Sequence, residues 1–250
     1  MATLASDWSD VQIAGCRCRA LTPSAASASG GVVVYLHDEE ASDFELRSAL
    51  TQRFKQHGLR CLAPLTGRSW WTDRIWPPFD GAISTEHFLL HNMLPWLADQ
   101  WQVAPPQIAL LGVGMGGQGG LKFSYKHPNV FPICAAIAPT IDYNRSMEAG
   151  DPTLAQLYRD SEQARQDTAT LHIHPLNWPR HQWFCSDPAD YLRHDGADRL
   201  RMKLYSLGVP YEADLETSTG GDLYAFVERM AEPAINFIAD RLERERLRVP

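Results

Sequence analysis

Short apolar, β-branched runs alternate along the chain with longer stretches whose apolar residues recur at helical spacing. The short runs, at 11–18, 32–37, 59–63, 108–113, 133–138, 182–186 and 211–216, predict strands. The longer ones, at 41–56, 85–102, 115–126, 197–207 and 223–244, predict helices between most of them. Strands such as VVVYLH and IALLGV are apolar at consecutive positions, the pattern of a sheet covered on both faces. The alternation over the whole length predicts an α/β protein, with a mainly parallel central sheet and helices on both faces, as one domain over 1–250. Two stretches break the alternation, at about 66–80 and 140–180, and read as loop insertions at strand ends, where such folds place substrate contacts. The second includes a predicted helix at 153–165 and the segment HIHPLNWPR; 23–31 is a loop of small residues, and 242–248 a solvated helix end.

Composition narrows the function classes. Hydrophobic residues make up 44% and charged ones 21%, enough apolar content for a core and too much for a disordered chain. Thirty acidic against 23 basic side chains give a net charge of −7, which argues against nucleic acid as the main partner, since phosphate binding needs a basic face. The best apolar run, 108–113, is far below the roughly 18 residues of a membrane span. The start, MATLASDWSDVQ, has no basic segment and meets Asp7 at once, so a signal peptide is not expected and a cytoplasmic location is. Five cysteines, Cys16, Cys18, Cys61, Cys134 and Cys185, all within strand-like runs, suit a reducing compartment. Cys16 and Cys18 would share one strand face, as a metal-binding pair or as small packed residues.

After the strand at 108–111 comes Gly112-Val113-Gly114-Met115-Gly116-Gly117 and then a helical run. Strand, glycine-rich turn and helix form the context of the nucleophile elbow, G-x-S-x-G, in which the central residue stands on a strained turn and the first helical N–H groups face the reacting carbonyl. From Gly112 to Pro128 the chain reads GVGMGGQGGLKFSYKHP, which resembles the G-x-S-M-G-G-x-G-[AG]-L signature of the α/β-hydrolase serine esterases, particularly the esterase D and S-formylglutathione hydrolase branch. VVVYLHD at 32–38 is similar to the strand leading to that family's oxyanion loop; Asp190-Tyr191-Leu192 falls where the family carries its acid; TGGDLY at 219–224 falls where it reads G-G-H-x-W. The resemblance spans roughly 30–240. It implies an α/β-hydrolase fold, no cofactor, and an ancestral carboxylesterase whose Ser, Asp and His roles map to Gly114, Asp190 and Asp222. Oxyanion donors would be the Met115 N–H and the loop at His37, Asp38 and Glu39.

Two of those positions depart from the family. Glycine at 114 offers no atom to attack with, and an aspartate at 222 is a weak base, with a reference pKa near ~3.9. In a comparable protease the loss of either residue costs on the order of a millionfold in turnover. The leading expectation is therefore a hydrolase scaffold without serine-esterase chemistry that keeps a small acyl or ester-like ligand. Ser124 lies about 15 Å along the helix from the elbow, at ~1.5 Å per residue, and cannot substitute; Cys185 reads as buried packing. Other readings stay open: an enzyme using Asp222 or a bound metal, a carboxylesterase with an unrecognised nucleophile, and an interaction or structural protein with a vestigial pocket.

His37, Asp38 and Glu39, with Asp190 and Asp222, would either gather at the sheet edge as a cation site or serve as oxyanion loop and helix cap. His172, His174 and His181 have a loosely metal-like spacing that equally fits loop hydrogen bonding. No metal site is assigned on either pattern. Trp70, Trp71 and Trp76 within 66–80 would line a pocket or pack the loop's own core, and Trp178 favours the pocket. The sequence gives no oligomeric state.

Overall fold

The computed structural model describes residues 8–23, 31–39 and 48–248. The first seven residues, most of the small-residue loop and the start of the predicted helix at 41–56 lie outside the described residues. Eight strands form one sheet in the order β1-β2-β4-β3-β5-β6-β7-β8. They are β1 (Trp8–Ile13), β2 (Cys16–Leu21), β3 (Val32–Leu36), β4 (Arg60–Pro64), β5 (Ile108–Val113), β6 (Ile133–Ile137), β7 (His181–Cys185) and β8 (Glu212–Asp214). From β4 to β8 all neighbours are parallel, while β1 and β2 add antiparallel strands at one edge.

Every residue of β3, β5 and β6 is buried, which explains their unbroken apolar sequence. Successive side chains alternate between faces. Val32, Val34 and Leu36 join Leu110 and Cys134 in a core covered by α2 (Thr85–Phe88), α3 (Leu94–Trp101), α4 (Met115–Lys126) and α8 (Tyr191–Leu207). Val33 and Tyr35 join Leu111 and Ile133 in a second core, beneath α1 (Ser48–Gln56) and α9 (Leu223–Leu247). Burying each such side chain contributes about 1.5–3 kcal/mol. A π-helical turn, Leu89–Met93, joins α2 to α3 into the one long helix expected at 85–102.

Three expectations need correction. The run at 11–18 is a hairpin, β1–β2, not one strand: Ala14 and Gly15 both have positive φ, 46° and 84°, as a two-residue hairpin turn of matching twist requires. The helix expected at 153–165 is two, α6 (Leu154–Leu157) and α7 (Ser161–Gln166), because Tyr158 is extended and Asp160 caps α7 by accepting from Gln163 N at 2.8 Å. A further helix, α5 (Tyr143–Glu148), precedes them, and α8 begins at Tyr191, six residues earlier than 197. All five cysteines are buried and unbridged, Cys16 and Cys18 included. Among the described residues no helix is long and apolar enough to cross a membrane.

The topology selects a place for ligands. β3 has β4 on one side and β5 on the other, so the connections leave in opposite directions and open a crevice at the carboxyl ends of β3 and β5. The residues there are His37, Asp38 and Glu39 after β3, and Gly114 after β5.

Candidate active site

Between β5 and α4 the chain reverses within one residue. Gly114 has φ 54° and ψ −119°, and α4 starts at Met115. Its N–H donates to Ile137 O at 3.1 Å, and its carbonyl accepts from Thr140 N at 3.0 Å and Gln118 N at 3.2 Å, so the turn is pinned from two sides. Crowding accounts for the flanking glycines: a Cβ at 112 would lie 2.0 Å from Gly116 O, and one at 116 would lie 2.0 Å from Leu36 O. The Met115 N–H belongs to the first turn of α4, which has no intrahelical acceptor, and it sits at the positive end of a twelve-residue helix.

Space beside Gly114 is already taken by another side chain. A Cβ at 114 would meet Glu39 Oε2 at 2.5 Å and Asp38 Cβ at 3.3 Å. Glu39 Oε1 accepts from the Thr140 hydroxyl at 2.7 Å; Arg193 Nε donates to that hydroxyl at 3.3 Å and Arg193 Nη1 to Asp190 Oδ2 at 2.6 Å. Glu39, Thr140, Arg193 and Asp190 thus form a continuous polar chain along one wall of a cleft of about 540 Å³. Trp70, Ile141, Leu192 and Leu223 provide apolar lining; Asp142, Asp151, Arg68, Arg145 and Ser146 complete much of its polar part. No histidine, lysine or cysteine is among the described residues that line it.

Residues 30–187, well over half of the chain, match the Esterase family. The chain belongs to that family. It is 26% identical over 188 residues to the diacylglycerol acyltransferase/mycolyltransferase Ag85C of Mycobacterium avium, covering 70% of this chain and 51% of that protein, so it spans about half of that relative's length. Among solved structures, a ferulic acid esterase superposes with a TM-score of 0.75 at 14% identity, covering 94% of this chain and 97% of the other. MPT51 of Mycobacterium tuberculosis gives 0.67 at 16% identity, covering 94% and 100%. An S-formylglutathione hydrolase from Agrobacterium tumefaciens gives 0.65 at 16%, covering 94% of each chain. At such identities the likeness establishes the shared α/β-hydrolase fold.

Around this Esterase-family elbow the remaining candidates are placed as follows. His37 is buried, and its Nε2 accepts from Thr66 N at 3.1 Å, which leaves the ring proton on Nδ1 to be donated to Asp38 O at 2.8 Å. Trp71 stacks obliquely on that ring, 5.1 Å between centroids, and donates to His37 O. His37 therefore fixes the loop and turns its ring away from the crevice. Trp70 lines the cleft and donates to Asp151 Oδ1 at 3.2 Å; Trp71 and Trp76 are core residues, and Trp178 packs half-buried against the same core. Asp190 caps α8 and faces the cleft. Asp222 is exposed and caps α9, accepting from Ala225 N at 3.1 Å, as a helix-cap role requires.

Asp187 escapes a reading of the sequence alone, although it organises this corner. Its buried carboxylate accepts from Ala189 N, Ser218 Oγ, Thr219 N, Thr219 Oγ1 and Gly221 N, all within 3.0 Å, and so holds the β8–α9 loop that presents Asp222. Burial opposes the charge, but these donors, Ser218 and Thr219 foremost, outweigh it and hold the carboxyl well below the usual range. Its signal was an aspartate followed by proline at a strand end. Burial pushes Asp142 up despite Arg199 and Arg145 beside it.

Among the described residues no three His, Cys, Asp or Glu side chains are grouped to hold a metal ion. The histidines of the second insertion disperse: His172 turns to Asp167, His174 accepts from Leu176 N, and His181 pairs with Glu245. Burial pushes the Cys185 thiol well up, which keeps it protonated and inert.

Proposed function

We propose that this esterase-family chain is a hydrolase scaffold that has given up serine-esterase chemistry and keeps its cleft for a small acyl or ester-like molecule. In this reading Gly114, Asp190 and Asp222 are vestigial triad positions, and Met115 N–H with the His37–Asp38–Glu39 loop is the remnant of the oxyanion site. The observation that carries it is the occupancy of the elbow: Glu39 Oε2 stands 2.5 Å from where a side chain at 114 would begin, so a serine there and Glu39 in this pose exclude each other. Ester cleavage by a triad needs an oxygen nucleophile and a base beside it. The hydroxyls that line the cleft, Thr140 and Ser146, have no histidine or lysine with them among the described residues that line it.

An open cleft supports retained binding over a vestigial role, since a pocket without use would be expected to fill with tryptophan or collapse; Trp71 and Trp76 pack into the core instead. The named activities of the relatives, acyl transfer and ester hydrolysis, supply the ligand class. The test is covalent labelling: the purified protein, incubated with an alkyl fluorophosphonate and digested for mass spectrometry, should carry no adduct. A stoichiometric adduct on Ser146 or any other hydroxyl would reveal a working nucleophile and overturn the proposal.

A further inference from the structure

The cleft's charges are unevenly matched. Asp151 faces Arg68 at 2.5 Å, Asp190 faces Arg193 at 2.6 Å, and Asp142 faces Arg199. Arg145, the remaining guanidinium on the wall, is engaged by Asp195. Glu39 differs: among the described residues its carboxylate takes the neutral hydroxyl of Thr140, with no guanidinium or ammonium against it. It also stands at the elbow, with Oε2 in the space that Gly114 leaves open. At that point an esterase would offer a neutral nucleophile and donors for an oxyanion; here a fixed anion stands beside the helix terminus. A second anion brought to the same place would meet like charge from Glu39 and from Asp38, which lines the cleft beside it, whereas a cation would give Glu39 the charged partner that Asp142, Asp151 and Asp190 already have.

We infer that the molecule this cleft accepts carries an ammonium group, with Glu39 as its anchor and Ile141, Leu192 and Leu223 receiving an apolar or acyl stem. The inference rests on the cleft being the ligand site proposed above, and it names the chemistry of that ligand. Gly114 then has a positive role, since only a residue without Cβ leaves Glu39 Oε2 its position.

Three probes separate the possibilities: ethyl 3-aminopropanoate, ethyl butanoate and monoethyl succinate, which end in an ammonium, a methyl and a carboxylate on the same ester frame. Dissociation constants come from titrations followed by protein NMR at pH 7 and low salt. The cation should bind at least about tenfold more tightly than the neutral ester, and the anion most weakly. Glu39→Gln should bring the cation to within about threefold of the neutral ester. Thr140→Val, which removes the hydroxyl partner but not the charge, should keep the preference. Equal or tighter binding of the neutral or anionic probe, a cation preference that survives Glu39→Gln, or binding of none of the three overturns the inference. These outcomes are independent of the fluorophosphonate result: a labelled hydroxyl sinks the reading of lost chemistry whatever the charge preference, and an absent preference leaves that reading standing.

Discussion

Replacing Asp187 by alanine removes the acceptor on which the β8–α9 loop hangs. Five hydrogen bonds converge on its two oxygens, three from backbone N–H groups and two from hydroxyls, at 2.6–3.0 Å. Hydrogen bonds to a charged acceptor are worth about 1.5–3 kcal/mol each, but a simple sum overshoots because a loosened surface loop recovers most of its donors' needs from water. One or two donors left unsatisfied gives about 3 kcal/mol for Asp187→Ala, and roughly half of that for Asp187→Asn, which keeps one acceptor oxygen. In a protein of this size that corresponds to a fall in Tm of about 6–12 °C. The pH dependence is the sharper signature. A carboxyl held below its unfolded value stabilises the fold fully above the unfolded pKa, near ~3.9, and that contribution is lost as pH falls below it. Urea denaturation followed by tryptophan fluorescence should therefore show a constant gap between the parent and Asp187→Ala from pH 7 to 5, narrowing by pH 3. A gap that persists unchanged at pH 3, or a cost at pH 7 below about 0.5 kcal/mol, would refute the assignment.

Lys122 is fully buried on α4 and meets Asp167 Oδ2 at 2.7 Å, with the Tyr158 hydroxyl on the same oxygen. Removing one partner strands a buried charge, so Lys122→Met and Asp167→Asn should each cost about 3–5 kcal/mol in urea melts, with the double variant less costly than their sum by at least ~1.5 kcal/mol. Gly116→Ala drives a methyl into Leu36 O and should prevent soluble expression or lower Tm by more than about 10 °C, which a thermal melt of any recovered protein checks. Gly114→Ser must displace Glu39; a crystal structure of that variant should show the carboxylate moved off the elbow, with the Thr140 contact broken.

How far the sequence carries depends on the range of the interaction concerned. The inner strands were legible because burial on both faces leaves them unbroken apolar runs, as in β3 and β5, and the elbow was legible as a glycine-rich turn between strand and helix, although only Gly112 answers to crowding within that turn and Gly116 answers to Leu36 O of β3. The β1–β2 turn was not, since Ala14-Gly15 interrupts an apolar pattern too briefly to be seen against it. The break between α6 and α7 hinges on Tyr158 being drawn into the core to reach Asp167, a tertiary contact that overrides the helical spacing. Glu39 was legible as a residue of the loop after β3, but its place beside Gly114 was not: only the side-by-side placement of β3 and β5 brings its carboxylate there. For Asp187 the clue was present, but apart from Ala189 N its partners lie beyond the next helix, in the 218–221 loop.

The most direct test of the proposed loss of chemistry is kcat/KM on an activated short-chain aryl ester, for the natural chain and for a Gly114→Ser/Glu39→Ala/Asp222→His variant that vacates the elbow and places a serine and a histidine at the two proposed triad positions. The natural chain should not exceed the buffer rate, and the variant should gain at least about a hundredfold over it, a modest part of what a complete triad supplies. Turnover by the natural chain at an ordinary enzymatic kcat/KM, about 10⁴ M⁻¹s⁻¹ or more, would contradict the account outright. A variant that folds but stays at the buffer rate would contradict the placing of the triad roles at Gly114 and Asp222.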